Sequence, residues 1–253
     1  MGSYLSKPIT KVDSSFCENQ NFVCCSASIQ GWRKTQEDEH VEILEYDDKG
    51  TGFFAVFDGH GGDEVSKYCA RKFPDFIKNS DFFKENKIPQ ALEHSFLKFD
   101  NTLKEPKVLA ELKKIANIDD AIDIDEDETS VLRKEAHMPI EELLTKNFKI
   151  NYANVGDSRC VLSREGKAVD MSEDHKPEDD KEKERIINAG GEITFDGRVN
   201  GGLNLSRAIG DHMYKNNTNL SDREQMITAL PDIRTSQIDV EKDDFLFLAC
   251  DGI

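Results

Sequence analysis

Long apolar runs are missing from this chain. None approaches the 18 or so consecutive apolar residues of a membrane-spanning helix, and no hydrophobic signal core stands near the N-terminus. The sequence therefore predicts a protein that is neither membrane-spanning nor secreted, with a cytoplasmic or nuclear location. The six cysteines, at 17, 24, 25, 69, 160 and 250, include no Cys-x-x-Cys pair. That spacing argues against a zinc knuckle or a redox pair, and most of these thiols sit in apolar runs as core residues do. Positive charge is also scarce: 33 Lys and Arg against 50 Asp and Glu give a formal net charge of −17. Nucleic-acid phosphates would be repelled, so no nucleic-acid partner is expected, whereas cations are attracted. A phosphorylated substrate would need local positive charge at its site.

Two further motifs are absent. The Gly-rich stretch Arg198-Val199-Asn200-Gly201-Gly202-Leu203-Asn204-Leu205-Ser206-Arg207-Ala208-Ile209-Gly210-Asp211 contains neither Gly-x-Gly-x-x-Gly nor Gly-x-x-x-x-Gly-Lys. A nucleotide loop is thereby set aside, and the stretch reads as a shaped loop near a site. In the acidic run 119–128, Asp123, Asp125 and Asp127 mimic the first ligands of an EF-hand. The sixth position, however, is Glu128 instead of Gly and the twelfth is Lys134 instead of Glu, so no calcium site is expected.

What is present suits one large domain. Its 253 residues are 37% hydrophobic and 33% charged, enough for a sizeable core. The reading is a single domain over 1–253 with an N-terminal tail, 1–21, and an acidic loop, 117–131. Val23, Cys25, Ala27 and Ile29 alternate as a half-buried strand. Val41 and Ile43 begin another, joined by the turn Asp47-Asp48-Lys49-Gly50 to Phe53–Phe57. Helical spacing follows in Val65, Cys69 and Phe73, in Leu92, Phe96, Phe99 and Leu103, and in Val108, Leu112 and Ile115. A short helix around Ile140, Leu143 and Leu144 precedes a strand at 148–155. Another helix, 177–189, has Pro177 at its start and Gly190 just past its end, and a last strand spans 245–250.

The chemistry lies where strands stop. The apolar run Phe53–Phe57 drives into Asp58-Gly59-His60-Gly61-Gly62, holding a carboxylate and an imidazole at a rigid strand tip where glycines leave the backbone bare. The same grammar recurs at Gly156-Asp157 and at Asp251-Gly252, each after a strand-like run. Three such carboxylates brought to one edge would repel one another unless cations neutralised them, and all-oxygen ligation selects Mg²⁺ or Mn²⁺. A fourth element, Gly31-Trp32-Arg33-Lys34-Thr35-Gln36-Glu37-Asp38, supplies a guanidinium fork for a phosphoryl group in Arg33 and further acceptors in Glu37 and Asp38. At the start, Met1-Gly2-Ser3-Tyr4-Leu5-Ser6-Lys7 matches the N-myristoylation pattern, and a single acyl chain at Gly2 would give weak membrane contact.

Six segments together resemble the metal-dependent serine/threonine phosphatases of type 2C, the PPM family. They are Gln30-Gly31-Trp32-Arg33 with Glu37-Asp38, Asp58-Gly59-His60-Gly61-Gly62, Asn154-Val155-Gly156-Asp157-Ser158-Arg159, Asp174-His175-Lys176-Pro177, Leu205-Ser206-Arg207-Ala208-Ile209-Gly210-Asp211 and Cys250-Asp251-Gly252-Ile253. The first six residues, the acidic run and Ile140-Glu141-Glu142-Leu143-Leu144 look most like the gamma isoform, with its acidic insert here short. The resemblance implies an α+β fold, a four-layer α/β/β/α sandwich of two antiparallel sheets flanked by helices. It implies a monomer that hydrolyses phosphoserine and phosphothreonine in phosphorylated protein substrates by a water bridging two divalent ions, Mg²⁺ or Mn²⁺, with a weaker third. By the same resemblance Asp58 would bridge the two ions, the Gly59 carbonyl would contact one, and Asp251 would bind the second. Glu37 and Asp38 would orient bound waters, and Asp157 would hold the third ion. Arg33 would grip the phosphate and His60 would protonate the departing oxygen.

Two departures shape the expectation. The family's Gly-Ser/Thr-Thr-Ala strand has no counterpart before 148–155, so one core strand is expected to be missing. The chain also stops before the family's Asp-Asn metal segment, so a C-terminal part and one ligand of the second ion are expected to be absent. The alternative is a catalytically impaired variant acting as a binding or regulatory protein.

Overall fold

The structure, a computed structural model, describes residues 4–118 and 149–252. In chain order it comprises β1 (Ile9–Glu18), β2 (Val23–Gly31), β3 (Glu39–Ile43), β4 (Phe53–Phe57), α1 (Glu64–Lys78), α2 (Asp81–Lys84), α3 (Ile88–Thr102) and α4 (Pro106–Ile118). Then follow β5 (Lys149–Asn154), β6 (Arg159–Arg164), β7 (Lys167–Asp170), α5 (Asp180–Asn188), a 3₁₀ turn (His212–Tyr214), β8 (Asp232–Gln237) and β9 (Asp243–Ala249). Every ladder is antiparallel, in the expected α+β class. The hydrogen-bonded strands fall into four short ladders, β1–β2, β3–β4, β5–β8 and β7–β6–β9, where the resemblance implies two sheets.

One helical layer covers two of these ladders. Cys69, Phe73 and Ile77 of α1 pack with Ala91, Leu92 and Phe99 of α3 and Val108 and Ile115 of α4, over Phe53 and Phe57 of β4, Ala153 of β5 and Ile233 of β8. Phe73 meets Phe96 at 4.7 Å and Phe99 at 5.0 Å between ring centroids, geometries that add about 0.5–1.5 kcal/mol each beyond burial. On the strands' other side, Cys160, Leu162 and Met171 pack with Tyr152 of β5 and with Leu246 and Leu248 of β9, joining the ladders.

Register sets the site. In the β3–β4 hairpin the Asp47 carboxylate accepts from the backbone N–H groups of Lys49 and Thr51, both at 3.0 Å, which fixes the turn. Glu39 then pairs with Phe57, so Asp38 and Asp58 leave the ladder side by side. In β6–β9, Arg159 pairs with Ala249, so Asp157 and Asp251 flank the end of that ladder.

The N-terminus differs from expectation. Residues 9–18, inside the segment read as a tail, form β1 and pair with β2 from Glu18↔Val23 to Ile9↔Gly31. Ile9, Val12 and Phe16 do not alternate, so side-chain periodicity gave no strand signal where backbone pairing makes one. The face of β2 is also reversed: Val23 is 70% and Ile29 52% exposed. Its polar face finds partners instead, with Ser26 Oγ 2.9 Å from His40 Nε2 and Gln36 Nε2 donating to Ser28 Oγ at 2.7 Å. The short α2 carried no pattern long enough to predict. The expected missing strand, most of the acidic loop and the helix near Ile140 lie outside the described residues.

Candidate metal centre

The centre forms where β4 ends. Asp58 lies at an open edge, and Gly59 follows it so closely packed that an added Cβ would collide with the Glu37 carbonyl oxygen and lie 2.9 Å from Ser66 Oγ. Ser66, buried in the first turns of α1, donates to the Glu37 carbonyl at 2.5 Å and the Asp63 carbonyl at 2.9 Å. The segment 37–38 is thus clamped onto 58–59 from above. Gly59→Ala is expected to lower stability by about 1–3 kcal/mol through backbone displacement, read as a lower urea midpoint in metal-free protein; an unchanged midpoint would contradict this packing.

Carboxylates crowd the clamp. Ligand atoms of Asp38, Asp58 and Cys250 all lie within 4.8 Å of one another. Enclosure by the surrounding protein, then repulsion from Asp38, Asp251 and Asp157, pushes the Asp58 carboxyl up to about 6. Asp38 is raised as well, by burial first; the Gly59 N–H and the Arg33 guanidinium oppose this, while Asp251 and Glu37 add to it. Burial, with Asp38 and Asp58 beside it, pushes the Cys250 thiol up to about 12. Protein groups alone leave this negative charge uncompensated. An oxygen-rich donor set under mutual repulsion fits a hard divalent cation, which is what relieves such crowding.

The remaining predicted residues surround this nucleus. Glu37 offers its carboxylate, oriented by Thr35 Oγ1 donating at 3.0 Å. Arg33 is exposed on a loop whose carbonyls at 33 and 34 accept from Gln30 Nε2 at 3.0 and 2.9 Å. Asp251 is exposed beyond β9. Asp157 acts on Asp58 through charge but is itself held by Lys176, whose Nζ stands 2.5 Å from its carboxylate. His60 Nε2 donates to Asp211 Oδ2 at 2.8 Å, a bond that raises His60 above the ordinary imidazole value against the opposing effect of burial.

A buried polar frame holds the outer loops. The His175 N–H donates to the Gly156 carbonyl at 3.0 Å, and the Gly156 N–H donates to His175 Nδ1 at 3.2 Å. Arg159 grips Asp174 bidentately at 3.0 and 2.8 Å. Arg207, 1% exposed, reaches Glu182 at 2.6 Å, Asp232 at 2.8 Å and the Leu230 carbonyl at 2.9 Å.

The structure therefore brings Asp38 and Asp58 into direct company and sets Glu37, Asp157, Asp251, Arg33 and His60 around them. Cys250, Lys176 and Asp211 belong to the same neighbourhood without having been assigned roles from sequence. For Asp211 a signal existed, since Gly210-Asp211 repeats the Gly/Asp grammar of the other loops.

Comparison with known proteins agrees with this geometry. The family model described as "Protein phosphatase 2C" matches residues 23–253. "Probable protein phosphatase 2C 5" of Paramecium tetraurelia is 41% identical over 253 residues, spanning 100% of this chain and 81% of the relative. "Protein phosphatase 2C homolog 2" of Schizosaccharomyces pombe is 42% identical over 258 residues, spanning 100% of this chain and 64% of the relative. Among solved structures, a phosphatase from a pathogenic strain of Toxoplasma gondii superposes with a TM-score of 0.61 at 26% identity, covering 98% of this chain and 78% of that one. Sequence, fold and site converge: the chain belongs to the protein phosphatase 2C family of protein serine/threonine phosphatases.

Proposed function

We propose that this chain hydrolyses phosphoserine and phosphothreonine in phosphorylated proteins using two divalent ions, Mg²⁺ or Mn²⁺. Asp58, the Gly59 carbonyl and Asp251 would hold them, assisted by Glu37 and Asp38. The observation that carries this reading is the register-driven pairing of Asp38 with Asp58, with the Asp58 carboxyl pushed up to about 6. When bound, the ions neutralise phosphoryl charge and activate the water that attacks phosphorus. The protein's own groups do the rest. Arg33 binds the phosphate oxygens with its planar fork, bringing positive charge to an otherwise acidic site. His60 holds a proton for the departing serine or threonine oxygen, a poor leaving group without one. Asp157 is the weakest ligand, because a third ion there competes with the Lys176 ammonium.

The first six residues and the acidic run 119–128 support placing the chain nearest the gamma-type members, and the Gly2 pattern supports weak membrane contact on acylation. No described helix is long and apolar enough to cross a membrane.

The test is phosphate release from a phosphothreonine peptide with Mn²⁺ and with EDTA. Turnover is expected only with Mn²⁺, and Arg33→Ala is expected to raise KM about 10-fold or more, the loss of one charge-assisted contact of about 1.5–3 kcal/mol. A folded protein without Mn²⁺-dependent turnover would refute the enzyme reading and favour the binding protein instead.

A further inference from the structure

His60 stands in a loop that gives it little wall. Glycines at 59, 61 and 62 surround it, with Gly61 at φ +70° and Gly62 at φ +136°, and its side chain is partly open to solvent. Orientation must come from elsewhere, and it comes from 151 residues away: Asp211 Oδ2 accepts from His60 Nε2 at 2.8 Å. Asp211 takes a left-handed backbone, φ 50° and ψ 39°, which costs a non-glycine residue on the order of 1 kcal/mol. The surroundings enforce it from both sides. Asp100 of α3, buried, accepts from the Gly210 N–H at 2.7 Å and from Lys215 Nζ at 2.7 Å, and Lys215 Nζ also donates to the Ala208 carbonyl at 2.8 Å. The loop is thus stapled to a core helix before and after residue 211.

We infer that Asp211 is the positioning residue of the acid: it holds the Nε2 proton of His60 and leaves the Nδ1 proton as the one delivered to the leaving oxygen. This rests on the reading of His60 as the acid. The two imidazole nitrogens are distinct, and the partner of one fixes the task of the other. In the step, the bond from phosphorus to the serine or threonine oxygen breaks with its electron pair on that oxygen, which takes the proton from Nδ1. Water supplies the new oxygen on phosphorus, and the proton it releases to solvent restores Nδ1. Throughout, the Nε2 proton stays on the Asp211 hydrogen bond, so the ring neither flips nor loses its aim.

A purely structural tie between two loops would serve stability without regard to leaving group, which gives the test. Asp211→Asn is the variant, because Asn tolerates the left-handed backbone. With Mn²⁺ bound, kcat for a phosphothreonine peptide is expected to fall about 10–100-fold, part of the 10²–10⁴ that a placed acid provides. For p-nitrophenyl phosphate, whose phenolate leaves without a proton, kcat should change less than about 3-fold, with both KM values held. Equal losses on both substrates, or none on the peptide, would overturn the inference. His60→Gln separates it from the parent reading. If His60→Gln is selective for the peptide while Asp211→Asn is not, the positioning role alone falls. If His60→Gln is itself unselective, the acid reading falls and this inference with it. A second readout needs no turnover: imidazole ¹⁵N–¹H spectra of the metal-free protein should show an exchange-protected Nε2 proton on His60, absent in Asp211→Ala. A protected proton on Nδ1, or protection retained in Asp211→Ala, would overturn the inference.

Discussion

Asp58→Asn is expected to lower Mn²⁺-dependent phosphate release by about 10³-fold or more and, in the same protein without metal, to raise the melting temperature. The first effect follows from losing the ligand that ties the ions together, since metal ions supply several kcal/mol of charge stabilisation to the reaction. The second follows from sign. Enclosure first, then the charges of Asp38, Asp251 and Asp157, raise the Asp58 carboxyl to about 6 in the fold, above its ordinary value of 3.8. A carboxyl raised on folding favours the native state while protonated and disfavours it once ionised, so above pH 6 the wild-type carboxylate is a liability. Because Asp58 is open to solvent, the gain on neutralising it is modest, about 1 kcal/mol or about 2–4 °C for a domain of this size. Added Mn²⁺ should then stabilise wild type and leave the variant unmoved, so the two melting curves exchange order. Melting by circular dichroism at pH 7.5 with EDTA and with Mn²⁺ checks this; a variant that melts lower in EDTA would contradict the crowding.

The second large effect concerns the frame. Arg207→Ala should cost about 3–5 kcal/mol, because it strands Glu182 in the interior and removes a partner of Asp232. Burial pushes the Glu182 carboxyl upward, but hydrogen bonds from Arg207 and the Arg185 charge outweigh it and hold it at about 2, below the ordinary 4.5. A lowered carboxyl contributes stability that is fully present above pH 4.5 and is lost as pH falls towards 2. Wild type should therefore lose stability across that window, and Arg207→Ala should flatten the acid limb while lying lower at pH 7. Urea unfolding at pH 7 and at steps between pH 4.5 and 2.5 measures both; equal urea midpoints at pH 7 would show that the network carries no weight.

Much of the centre could be read from the sequence because it is local. Phe53–Phe57 could only be a short buried strand, its glycines could only follow a tip, and the turn at Asp47-Gly50 fixed which residues meet. Once that hairpin closes, Asp38 must stand beside Asp58. The long-range part was not legible. Nothing near Asp211 points to His60, and nothing near Asp157 says that Lys176 occupies it, because such pairings depend on how loops fold back over many residues. β1 escaped for a different reason: its pairing with β2 runs through backbone groups, and its three apolar residues follow no period. The face of β2 was misjudged because alternation shows that two faces differ, and hydropathy alone then chose the wrong one.

Calorimetric titration of the metal-free protein with Mn²⁺, run in parallel on wild type, Asp38→Asn and Asp58→Asn, tests the metal centre most directly. Wild type should bind two ions per chain, Asp38→Asn should bind them more weakly, and Asp58→Asn should lose the tighter class. Identical stoichiometry and affinity in all three would contradict a centre built on these two aspartates.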